Sequence, residues 1–69
     1  MPEHVYKLVE IVGTSPNSAD EAIRNGIAKA AKTLSHPDWF EVVETRGQIV
    51  DGRVARFQVV LKVGFRLDD

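Results

Sequence analysis

The sequence predicts an α+β domain of order βαββ: a three-stranded antiparallel sheet, strand order 1-3-2, with one helix on one face. Three observations carry this expectation. A run rich in Val, Ile and Tyr ends in Gly13-Thr-Ser-Pro, which reads as a strand followed by a turn. A stripe of apolar residues at helical spacing follows a recognisable cap. Finally, two long β-prone runs flank Asp51-Gly52, the strongest short hairpin signal.

The first strand is placed over residues 4–13, with Val5, Val9 and Ile11 on one face and Tyr6, Leu8 and Val12 on the other. Alternation alone does not say which face meets the core. In Ser18-Ala-Asp-Glu21 a capping box is expected, the Ser18 hydroxyl and the Glu21 carboxylate each satisfying a free backbone N–H. Asp20 and Glu21 suit the positive end of the helix dipole. Ile23, Ile27, Ala30, Ala31 and Leu34 form the apolar stripe, and Lys29 and Lys32 fall late in the helix. Gly26 is either a tolerated mid-helix glycine or a point where another backbone comes close. The helix should stop by His36, because Pro37 disfavours helical geometry in the residue before it.

From Trp39 onward one long hairpin is expected. A two-residue turn at Asp51-Gly52 sets Phe40 opposite Val63, Val42 opposite Leu61, Glu44 opposite Val59 and Arg46 opposite Phe57. A bulge near Gly47 would shift this register, leaving the pairs near the turn the more secure ones. Strand, helix, strand and hairpin return point to a right-handed crossover with the last strand inserted between the first two.

The chain has 69 residues, enough for one domain, expected over 1–69. A chain this short buries a smaller fraction of its surface than a large one and usually needs disulfides, a metal or partner subunits. It has no cysteine, and its two histidines, His4 and His36, lie in different segments and make a poor metal site. Self-association is therefore expected, with a well-packed monomer as the alternative. Hydrophobic residues at 43% and charged residues at 28% argue against disorder. A net charge of -1 offers no footprint for nucleic acid. The start does not read as a signal peptide, and no stretch is apolar enough to span a bilayer, so the expectation is a soluble cytoplasmic protein without a membrane partner.

One helix covers one sheet face. The other is expected to carry Trp39, Glu41, Val43, Thr45, Gly47 and Ile49, joined by Val54, Arg56, Gln58, Val60, Lys62, Gly64 and Arg66. Glu41 falls opposite Lys62 as a cross-strand ion pair. Trp39, the only tryptophan, stands opposite Gly64, which cannot cover its ring. It either anchors a subunit interface, the commoner use of tryptophan, or stacks on a flat ligand. Gln58 offers a donor and an acceptor side by side, matching the imide edge of a pyrimidine-like ring, though a strand glutamine more often faces solvent. Arg46 and Arg66 either fork onto a phosphate or are ordinary solvated charges. No Ser-His-Asp spacing, Walker loop or dinucleotide fingerprint is present, and Glu41 and Glu44 lie on opposite sides of the strand, so no enzymatic constellation is read.

The segments VYKLVEIVGTSP, DWFEVVETRGQIV and RVARFQVVLKVGFRL, in this order, resemble the dodecin family from about Val5 to Leu67. The resemblance implies a βαββ subunit of a hollow dodecamer that holds flavins in pairs at subunit contacts. It implies that Trp39 stacks on the isoalloxazine and that Gln58 hydrogen-bonds its pyrimidine edge. Arg46 and Arg66 match positions near the flavin phosphate or the nucleotide groove. Arg46 points the other way in the simple register, so it would act from a neighbouring subunit or across a bulge. Thr45, on the expected ligand face, and Tyr6 complete the candidate set. Tyr6, with the lysines, would serve the coenzyme A that some bacterial dodecins are suited to bind. The implied ligand is a flavin, FMN first with riboflavin and FAD sharing the same ring, and the implied role is sequestration, not turnover. A flavin-dependent reductase and a ligand-free structural oligomer are the alternatives.

Overall fold

The computed structural model describes residues 3–67, so the single domain expected over 1–69 reaches past the described residues at both ends. The elements are β1 (Tyr6–Ser15), α1 (Ala19–Ala30), β2 (Pro37–Val50) and β3 (Arg53–Arg66). β3 lies between β1 and β2 and is antiparallel to both. Thus the expected α+β class, element order and 1-3-2 sheet all hold. No helix among the described residues is long and apolar enough to cross a membrane.

Strand β1 runs two residues further than expected, and its odd-numbered residues settle the face question: Ile11 packs on the core, and Gly13 and Ser15 are buried. Helix α1 rests chiefly on β1 and β3. Its backbone comes very close to the strand, because a Cβ built on Gly13 would lie 2.0 Å from the Ala22 carbonyl oxygen. A Cβ on Gly26 would lie 3.2 Å from Gly13 Cα, so Gly26 marks close backbone approach. Ala22, Val59 and Leu61 form the core, with Ile11, Ala19, Ile23 and Ile27 packed around it.

The start of the helix differs from a simple capping box. Ser18 Oγ accepts from the Glu21 N–H at 3.0 Å, as expected. The Glu21 carboxylate instead accepts from Ser15 Oγ at 2.6 Å and Asn17 Nδ2 at 2.9 Å. Ser15 Oγ in turn accepts from the Asn17 N–H at 2.9 Å, so the end of β1 and the helix start share one network. The helix also ends earlier than the apolar stripe suggests. Ala31 is its C-cap, and residues 31–33 form a turn with Lys32 N–H donating to Lys29 O and Thr33 N–H to Ala30 O. Lys29 is in the last helical turn, while Lys32 lies beyond it. His36, at φ 55°, then breaks the helical path in the left-handed region just before Pro37 opens β2.

Asp51 and Gly52 have φ of 52° and 74°, the paired positive values of a type I′ turn. The expected register holds near it, with Val50 opposite Arg53 and Ile49 opposite Val54. It also holds far from it, with Phe40 opposite Val63 and Val42 opposite Leu61. It is wrong between them: Glu44 pairs with Val60 and Arg46 with Gln58. One shift leaves Ala55 of β3 without a partner, and a second leaves Val43 of β2 without one. The two bulges cancel, so between the turn and Trp39 only the intervening stretch is displaced, and a third shift between Pro37 and Trp39 sets Pro37 opposite Phe65. Because a one-residue slip reverses every side chain, Glu44 and Arg46 move to the helix-free face. Thr45 pairs instead with core residue Val59, and Gly47 with Phe57, on the helix-bearing side.

β1 pairs with β3 only from Phe57 to Arg66. The turn end of the hairpin therefore projects as a two-stranded arm, and the molecule measures 56 × 20 × 13 Å.

Candidate ligand-binding face

The helix-free face has two centres, one aromatic and one polar. At one end, Trp39 lies over Gly64, its register partner. A Cβ on Gly64 would come within 2.4 Å of the indole Cε2 and Cζ2, so only glycine lets the ring lie on the strand. Tyr6 packs edge-on against it, with ring centroids 5.0 Å apart at 62°. His4 continues the contact, 6.5 Å from Tyr6. Arg66 follows on β3 as the register partner of Tyr6. The indole remains 41% exposed and presents a flat apolar surface.

At the other centre, Arg46 Nε donates to Gln58 Oε1 at 2.9 Å. Arg46 also meets Glu44 at 3.6 Å; both side chains are about half exposed, so this ion pair adds little stability. Thr14 lies on the other side of Gln58 in the register. Gly64 lies six residue steps along β3 from Gln58, which at ~3.3 Å per step is roughly 20 Å. A single tricyclic ring does not span that distance.

Of the candidate residues, the structure thus brings Trp39, Tyr6 and Arg66 together at one end and Arg46 and Gln58 at the other. Thr45 joins neither group, because the Val43 bulge turns it to the opposite side. Glu41 keeps its place opposite Lys62, but no ion pair forms between them. The expected bulge near Gly47 is present as the shift between Gln48 and Ile49, and it brings Arg46 to Gln58. Simple alternation did not reveal that hydrogen bond, because neither Val43 nor Ala55 is a residue type that marks a bulge. The Tyr6–Trp39 contact depends on the β1–β3 register, which no turn fixes. Among the described residues no three His, Asp or Glu side chains cluster as a metal site.

These features define an α+β domain with an open sheet face, an aromatic platform and an amide–guanidinium pair. The family model for dodecin matches residues 5–68. A dodecin from Thermus thermophilus is 55% identical over 65 residues, covering 94% of each chain. Among solved structures, the dodecin from Streptomyces davaonensis superposes with a TM-score of 0.95 at 59% identity, covering 99% of this chain and 100% of that one. The dodecin from Streptomyces coelicolor also superposes at 0.95, with 54% identity and coverage of 100% and 99%. The chain belongs to the dodecin family.

Proposed function

We propose that this protein stores and shields a flavin, FMN foremost, at contacts between subunits of a homo-oligomer, a dodecamer by family likeness. The observation that carries the reading is the half-exposed indole of Trp39 held flat on Gly64 and braced by Tyr6. That surface suits an isoalloxazine ring, and the Gln58 amide suits its imide edge. Their separation of roughly 20 Å means that one ring meets both only if different subunits supply them. Arg66, near the platform, is placed to meet an anionic tail. Tyr6 serves as a brace for Trp39.

A bound flavin supplies an excited-state electron acceptor, and the indole supplies the electron that quenches it. The role is thus sequestration without turnover. Wild-type protein should quench added FMN fluorescence strongly, and Trp39→Ala should lose most of that quenching and weaken binding at least tenfold, in line with an interface hot spot. Unchanged titration curves for Trp39→Ala would sink the proposal.

A further inference from the structure

We infer that Arg46 is a positioning residue that sets the direction of the Gln58 carboxamide, so that ring-edge recognition depends on it. The inference rests on the proposed contact between Gln58 and the flavin imide edge.

A guanidinium has donors and no acceptor, so the Gln58 atom facing Arg46 must be the oxygen. The 2.9 Å bond from Arg46 Nε fixes that choice. A carboxamide held this way keeps one lone pair of Oε1 and both N–H groups of Nε2 available, with the donor and acceptor in a set order. The imide edge presents an N–H flanked by carbonyls, which a fixed donor–acceptor pair matches. A freely turning amide must first be ordered, at a cost in affinity. A terminal nitrogen of the same guanidinium also meets Glu44 at 3.6 Å. The Ala55 bulge makes the arrangement possible, because in the unbroken register counted from the turn Arg46 would pair with Phe57 and face away from Gln58. With Nε engaged by Gln58, Arg46 is assigned to the ring edge.

The two roles separate in flavin titrations of the assembled protein with riboflavin, FMN and N3-methylriboflavin, in which the imide N–H is blocked. Wild type should prefer riboflavin over N3-methylriboflavin by about tenfold, the cost of one unmade hydrogen bond at a desolvated edge. In Arg46→Met that preference should fall to about twofold, and riboflavin and FMN should weaken by the same factor. Arg46→Lys, which keeps a cationic donor, should restore part of the preference. Adding Gln58→Ala to Arg46→Met should cost little more, since the two act as a unit. A ratio between ligands is insensitive to a general loss of folded protein. The inference is overturned if Arg46→Met keeps the wild-type preference or weakens FMN alone. It is also overturned if Arg46→Met binds no ligand and Arg46→Lys recovers no preference. Failure of wild type to bind any of the three flavins would overturn the storage proposal itself.

Discussion

A single missing side chain decides how Trp39 sits. Gly64 leaves the indole room to lie on the strand, and a methyl group there would overlap the ring edge. The indole is the exposed end of a side chain, so it can swing away at little cost to the fold. Gly64→Ala should therefore leave the melting temperature within a few degrees, about 1 kcal/mol of stability at most. It should nonetheless reduce flavin affinity and quenching by tenfold or more, measured in the same titrations as Trp39→Ala. This pairing was legible in the sequence, because the register counted from Asp51-Gly52 is correct again at Trp39. The pairing of Arg46 with Gln58 was legible only as the option of a bulge near Gly47, which the shift between Gln48 and Ile49 supplies; the restoring bulge at Val43 carried no signal. Gly26 could be read two ways until the position of Gly13 beneath it was known.

At the level of elements, the junction of β1 and α1 carries a pH dependence with a definite sign. Hydrogen bonds from Ser15 Oγ, and then from Asn17, hold the Glu21 carboxyl below its ordinary value. A carboxyl with a lowered native pKa releases its proton more readily when folded, so its contribution is present above the unfolded carboxylate range. That contribution is lost as pH falls through the native value. Ser15→Ala should thus be less stable than wild type at neutral pH, and the gap should narrow on acidification as Glu21 protonates in both proteins. Urea melts across an acid series measure the gap, and a constant difference would contradict the account. Ser18 as N-cap was evident from its spacing to Glu21. That the carboxylate would turn to Ser15 was not, because the bond joins residues whose separation only the folded turn defines.

The whole molecule is short of burial. Among the described residues only five hydrophobic side chains are buried, whereas twelve large ones are exposed, so most of the apolar surface awaits a partner. Every residue of β2 is exposed. The arm beyond β1 is a bare two-stranded ribbon, marginal by itself, with Ile49 exposed to 73% and Val50 and Val54 also uncovered. Ile49→Glu should yield smaller assemblies by native mass spectrometry. It should also lower the melting temperature by an amount that depends on protein concentration, as mass action requires. An unchanged assembly would show that the arm lies outside the contacts. Chain length and the absence of cysteine already pointed to self-association, but the projecting arm could not be foreseen, since its origin lies in where β1 stops.

The two bulges behave like a pair of compensating frameshifts in a gene. Ala55 moves the hairpin out of frame, Val43 moves it back, and only the segment between them is read in the altered phase. Trp39 and the turn lie outside that segment and keep their frame. One extra residue in each strand therefore exchanges what faces the ligand around Gln58 while leaving the aromatic platform untouched. The two halves of the site can vary independently along a single hairpin.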